Sequence, residues 1–175
     1  MNKSMEQCVK LLIIGDESSG KSYLGALISG SQYKYQQTIG LDISTIELQN
    51  YLQCDKINGQ LISGMLQILD TPGADTFSYS YYYKNTQIVL MLFKFSDKQS
   101  FTNCQIYTQR IKQCCQTSYV ILIGNAYGSS KPVVSIDEAV NFAQFNGFQF
   151  FDWRHNNFNQ LKTHIQKVIL KLIQD

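Results

Sequence analysis

Eight residues near the start of the chain, Gly15–Ser22 ("GDESSGKS"), have the types and spacing to grip phosphate. They fit GxxxxGK[ST], a glycine-rich loop set between a strand and a helix. Its glycines let the backbone wrap closely, so the N–H groups of Ser18–Ser22 can point inward at the positive end of the following helix. Lys21 can bridge the β- and γ-phosphates of a nucleotide, and the Ser22 hydroxyl can ligate Mg²⁺. A second loop, Ile123–Gly128 ("IGNAYG"), closes an apolar run and offers one amide side chain, Asn125, but no carboxylate.

The elements around these loops follow from apolar spacing. Val9–Ile14 is a short apolar run ending at Gly15, which suits a strand buried on both faces, and Lys21–Ile28 reads as a helix with Leu24, Leu27 and Ile28 on one side. Ile43–Leu52 and Leu61–Leu69 read as two strands joined by a hairpin at Asn58-Gly59. Gln87–Phe95 is another buried strand, and Phe101–Cys115 has helical spacing. After the strand Tyr119–Ile123, Ser135 and Glu138 form a capping box for a helix that stops at Asn146-Gly147. Phe148–Phe151 is a last short strand. A closing helix carries Phe158, Leu161, Ile165, Val168, Ile169 and Leu172 at three- and four-residue intervals. Strands alternating with helices imply a three-layer α/β fold, with a mostly parallel six-stranded sheet and one antiparallel edge strand. Ligands of such sheets bind beyond the carboxyl ends of the strands, where the informative loops lie. No repeat or linker interrupts the chain, so residues 1–175 read as one domain.

Composition narrows the function classes. With 44% hydrophobic and 13% aromatic residues the chain is globular rather than disordered. A formal charge of +2 gives no basic footprint, so no nucleic-acid partner is expected. The five cysteines include no CxxC pair, which argues against a zinc site or disulfide framework and for a reducing, cytoplasmic setting. The N-terminus lacks a signal-peptide core and the chain ends "LKLIQD" without a cysteine to prenylate, so no membrane anchor is expected in this chain.

Beyond the phosphate loop, Thr38–Ile43 ("TIGLDI"), Leu66–Gly73 ("LQILDTPG"), the run "SYYYKNTQIVLMLFKFSDKQSF" and the helix "VSIDEAVNFA" each lie in order along the chain. Together with that loop they resemble a small GTPase of the Ras superfamily, and within it the Rab branch, over nearly the whole length. The resemblance implies the small GTPase G-domain fold, a nucleotide cofactor (GTP or GDP) and Mg²⁺. It implies nucleotide contacts from Glu17, Ser18, Ser19, Gly20, Lys21, Ser22, Tyr23, Thr38, Gly73 and Asn125, and metal contacts from Ser22, Thr38 and Asp70. Thr38 and Gly73 would sense the γ-phosphate, ordering the switch segments 36–43 and 74–82 with triphosphate and releasing them with diphosphate. Protein partners would meet those segments and Tyr79, Tyr81, Tyr82 and Tyr83, some of which family packing would bury.

Three departures bear on activity. Ala74 stands where most of the family has the glutamine that orients the attacking water, so no catalytic residue is assigned and hydrolysis is expected to be very slow or absent. Glu17 brings a carboxylate to the phosphate loop. Turned outward it matters little, whereas turned inward it repels triphosphate or needs a cationic neighbour, since like charges ~4 Å apart interact by several kcal/mol. In "NAYG", Asn125 remains, Ala126 replaces the family lysine, and Gly128 stands where an aspartate would read guanine. Losing that bidentate contact weakens affinity and blurs guanine against adenine. In "FFDWRHNNF" either Asp152 or the face of Trp153 could compensate, and either Tyr33 or Tyr35 could cover the base.

Two function classes remain. One is a slow nucleotide-dependent switch. The other is a pseudo-GTPase serving as a structural subunit of a larger assembly, with cytoskeletal or ciliary sites as alternatives to a diffuse cytoplasmic one. A kinase or ATPase on the same loop is disfavoured, because no lid segment is visible.

Overall fold

The computed structural model describes residues 7–33, 40–73, 80–127, 131–154 and 157–174. In chain order these form β1 (Gln7–Gly15), α1 (Lys21–Ser29), β2 (Asp42–Glu47), α2 (Leu48–Leu52), β3 (Lys56–Ile57), β4 (Gln60–Leu61) and β5 (Gly64–Asp70). Then follow α3 (Ser80–Tyr83), β6 (Ile88–Lys94), α4 (Lys98–Cys114), β7 (Tyr119–Asn125), α5 (Ile136–Asn146), β8 (Gln149–Trp153) and α6 (Phe158–Leu172). Six strands make one sheet in the order β2-β5-β1-β6-β7-β8. All its neighbours pair parallel except β2, which runs antiparallel to β5. This is the expected α/β class with its one antiparallel edge.

The central strands are apolar without interruption because both faces are covered. Alternate residues serve opposite layers: Leu11, Ile13, Leu90 and Ile121 pack with Leu24 and Ile28 of α1 and Leu161, Ile165 and Ile169 of α6. Leu12, Val89, Met91 and Leu122 face Cys104 and Ile111 of α4 and Ala139 and Ala143 of α5. These two sandwiched faces fix the carboxyl ends of β1, β5, β6 and β7 along one edge, where the loops collect. Among the described residues no helix is long and apolar enough to cross a membrane.

One expectation is corrected. The strand expected over 43–52 ends at Glu47, and Leu48–Leu52 turns into α2. Leu48, Tyr51 and Leu52 are its buried residues, and their three- and four-residue spacing is that of a helix face. The Asn58-Gly59 turn does form, with φ of 49° and 82°. It closes only the two-stranded ribbon β3–β4, however, and β5 starts separately at Gly64. Helix α4 also begins earlier than the apolar spacing suggests. The Asp97 carboxylate accepts the N–H groups of Gln99 and Ser100 at 3.0 and 3.2 Å, an N-cap that sets the start at Lys98.

Helix α5 carries the expected capping box, with the Glu138 N–H donating to the Ser135 hydroxyl at 3.1 Å and the Ser135 N–H to the Glu138 carboxylate at 3.0 Å. Ser135→Ala is expected to cost about 1 kcal/mol, lowering Tm by roughly 2–4 °C, as measured by thermal melting. On α6, burial, with Lys167 nearby, holds the His164 imidazole below the ordinary histidine range. Its contribution to stability is therefore present above the ordinary pKa of ~6.5 and is lost as pH falls through the lower folded value. His164→Gln should flatten the decline of Tm between about pH 7 and pH 5. An unchanged slope in melts across that range would rule the residue out as a source of acid sensitivity.

Candidate functional site

The loop between β1 and α1 is held from two sides by distant residues. At the end of β7, whose Asn125 pairs in register with Trp153 of β8, the Asn125 amide donates to the Ser19 carbonyl at 2.8 Å. The same amide accepts the Tyr127 N–H at 2.8 Å, which locks its orientation. Gly20 fits beneath it only because it lacks a side chain: its φ is +100°, and a Cβ there would sit 2.6 Å from the Asn125 amide nitrogen. From the other side, α4 grips the Asp16 carboxylate. Asn103 donates to one oxygen at 2.7 Å and Tyr107 to the other at 2.9 Å. Residues 103 and 107 share a helix face by their four-residue spacing. Sequence reasoning missed this clamp; its signal was a pair of polar groups beside the buried stripe Cys104, Thr108 and Ile111.

Lys21 lies inside this frame and is 5% exposed. Its ammonium donates to the Asp16 carbonyl at 2.7 Å. Burial pulls its pKa below the ordinary lysine range, and Asp70, Asp16 and Glu17, in that order, pull it back. Asp70 is itself buried at the end of β5, in register with Ile13 of β1, and the Thr71 hydroxyl bonds the Ile13 carbonyl at 2.8 Å. Ser22 stands half-buried in the first turn of α1. A buried ammonium beside helix N–H groups can hold an anion, and a carboxylate at the same edge can hold a cation next to it.

One end of the loop faces Gly73, whose Cα lies against the backbone of Glu17 with no room for a Cβ. Glu17 is exposed and lines a recess of about 260 Å³ with Asp16, Gly73, Asn103, Tyr107 and Arg110. The Arg110 guanidinium lies 5.8 Å from the Tyr107 ring centre. A cationic group thus shares the recess that the Glu17 carboxylate borders. The other end of the loop is aromatic. Tyr23 stacks on Trp153 (centroids 5.9 Å, planes 23° apart) and meets Tyr33 and Tyr127 edge-to-face at 5.2 and 5.7 Å.

The alternatives open at 152–153 divide on this geometry. Adjacent strand residues point to opposite faces, and it is Trp153 that turns toward the loop, with its ring 3.4 Å from a Cβ built on Gly20. The Asp152 carboxylate instead pairs with Arg154 at 2.9 and 2.8 Å. Tyr33 joins the ring cluster, whereas Tyr35 lies outside the described residues, as do Thr38, Ala74, Tyr79 and Gly128. Of the remaining tyrosines, Tyr83 is buried in the core and so is no contact surface; Tyr82 is half-buried and Tyr81 is exposed. A larger recess of about 480 Å³, between β8 and α6, contains none of these residues.

A phosphate-type loop closing the first strand of a mixed six-stranded sheet, with a buried carboxylate at the end of the neighbouring strand, defines the phosphate-loop class of α/β proteins. A model of the Ras family matches residues 10–174, and the chain belongs to that family. It is 32% identical over 160 residues to the GTP-binding protein YPT1 of Saccharomyces cerevisiae, covering 87% of this chain and 72% of the relative. The GTP-binding protein ypt2 of Schizosaccharomyces pombe is 33% identical over 158 residues, 86% of this chain and 74% of its own. The Ras-related protein Rab-1D of Dictyostelium discoideum is 28% identical over 170 residues, covering 95% and 78%. The Rab resemblance of the sequence is thereby shown.

Gly20→Ala should combine a left-handed φ with the clash at Asn125 and cost at least about 2 kcal/mol of unfolding free energy. Urea denaturation followed by circular dichroism reads this, and a loss below about 0.5 kcal/mol would show that the loop tolerates a side chain there.

Proposed function

We propose that this chain binds guanine nucleotide, GTP or GDP, with Mg²⁺ in the Gly15–Ser22 loop, hydrolyses it slowly or not at all, and acts through protein contacts of its switch segments. The observation that carries this reading is the buried Lys21 ammonium inside a loop braced by Asn125 and by the α4 clamp. A desolvated cation with a backbone carbonyl as its hydrogen-bond acceptor is stabilised by a multiply charged anion. The names of the relatives, GTP-binding proteins of the Ypt group, support the nucleotide class.

In this reading the backbone of Glu17, Ser18, Ser19, Gly20, Lys21, Ser22 and Tyr23 surrounds the phosphates, with Thr38 and Gly73 toward the γ-phosphate and Asn125 toward the base. The buried Asp70 and the half-buried Ser22 fit a hard divalent cation that prefers oxygen donors, with Thr38 as the third ligand. Bound Mg²⁺ would neutralise phosphate charge. The methyl group of Ala74 can neither donate to nor accept from a water, which opposes turnover, and the exposed Glu17 carboxylate borders a recess that also holds the Arg110 guanidinium. Segments 36–43 and 74–82, with the exposed Tyr81, are the surface offered to protein partners. The second reading, a structural subunit holding nucleotide constitutively or holding none, draws on the same Ala74.

Denaturing the natively purified chain and separating the released nucleotide by chromatography tests the proposal. Stoichiometric guanine nucleotide is expected. Release of nothing would remove nucleotide from the function and leave the structural-subunit reading. Single-turnover hydrolysis of loaded GTP should run below about 10⁻⁴ per second, under the intrinsic rate of family members with the glutamine.

A further inference from the structure

The larger recess, about 480 Å³ between β8 and α6, is of the size that small organic ligands occupy. Its place follows from the sheet. β8 is an edge strand, and Phe151 and Trp153 alternate onto the face that α6 covers. Outside the buried stripe of α6 (Leu161, Ile165, Val168 and Ile169) a second line of residues borders the recess. These are Gln160, His164 and Lys167, at four- and three-residue spacing along one helix face.

The lining combines hydrocarbon with positive charge. Ile121 and the half-buried Phe151 supply apolar surface, and the amides of Gln149 and Gln160 add uncharged donors. The exposed Lys167 is the cation, and no acidic side chain lines the recess among the described residues.

His164 narrows the ligand further. Its Nε2 is buried and meets no hydrogen-bond partner among the described residues. Orphaned N–H groups are the costlier kind, so the neutral ring carries its proton on Nδ1, and that N–H is the donor left for a ligand. Burial first, and the Lys167 ammonium second, hold the ring below its ordinary pKa. From β7 the Tyr119 ring, 6.2 Å away, adds no charge, because burial raises its phenol above the ordinary range. From β8 the recess receives Gln149, Phe150 and Phe151, which do not titrate. A neutral donor and an ammonium one helical turn apart, beside hydrocarbon, suit an anion with an apolar body. One ammonium balances one negative charge, which favours a carboxylate over a phosphate group carrying about −1.5 to −2.

We propose that the recess between β8 and α6 binds a small organic monocarboxylate, with its apolar body on Phe151 and Ile121 and its carboxylate between Lys167 and His164. The site shares no residue with the Gly15–Ser22 loop, so it stands whether or not that loop holds nucleotide.

The test is proton NMR of the full chain as purified, following the C2 proton of His164. The chain has two histidines, and His164→Gln identifies the resonance by removing it. The probes are 4-phenylbutyrate, its amide 4-phenylbutyramide, and inorganic phosphate. 4-Phenylbutyrate is expected to shift the resonance saturably and to raise the His164 pKa back toward the ordinary histidine value, because a neighbouring carboxylate favours imidazolium. Its affinity should therefore increase as pH falls through that range. The amide should bind about tenfold or more weakly, the worth of a hydrogen bond to a charged group. Lys167→Gln, at an exposed position, should cost the acid about tenfold and leave the amide unchanged. Three results would overturn the inference: no saturable shift by about 10 mM acid, an amide that binds as well as the acid, or phosphate alone moving the resonance as far.

Discussion

A buried ammonium is costly, and the architecture around the phosphate-type loop is organised by the one at Lys21. Removing a charge from water costs several kcal/mol unless it is surrounded by compensating groups. Here the direct acceptor is a backbone carbonyl of the loop itself, that of Asp16, and the nearby carboxylates of Asp70, Asp16 and Glu17 act at a distance. That arrangement works only if the loop cannot relax. Asn125 holds its middle and α4 holds its beginning, and both anchors depend on strand register and helix packing far away in sequence.

The two ends of the site are unequal. Toward Gly73 the surroundings are charged, with Glu17, Asp16 and Arg110 around one recess. Toward Tyr23 they are aromatic, with four rings in mutual contact through one hub. The loop is thus flanked by charged groups on one side and by aromatic rings on the other. The loop between them is fixed by Asn125 at the end of β7 and by Asn103 and Tyr107 on α4, so its shape is set by strand register and helix packing.

Much of this was legible in the sequence where local periodicity and turn chemistry are decided locally. Central strands, the capping box at Ser135 and Glu138, the Gly147 stop and the loop at Gly15–Ser22 all follow from spacing. The reading of 43–52 as one strand failed because Leu48, Tyr51 and Leu52 suit either period over so few residues, and burial against the sheet decided for a helix turn. Within the site, the Asp16 clamp was hidden because a polar side chain on a helix surface looks the same whether it faces water or a carboxylate. The choice between Asp152 and Trp153 needed the register of β8, which the ambiguous loop after it could not supply. Once Asn125 is opposite Trp153, alternation settles which of the two faces the loop.

The spacing of the anchors along the chain has a consequence for how the protein is made. The bonds that fix the loop reach 87, 91 and 106 residues downstream, to Asn103, Tyr107 and Asn125. During synthesis the first strand and its loop emerge early, yet the loop cannot be held in shape until β7 has been translated and docked. Contacts of such long range are also the slow ones to form, since loop closure precedes their reward. On the ribosome the loop therefore stays unbraced until β7 has been made, even after β5 and β6 have become available to pair with β1.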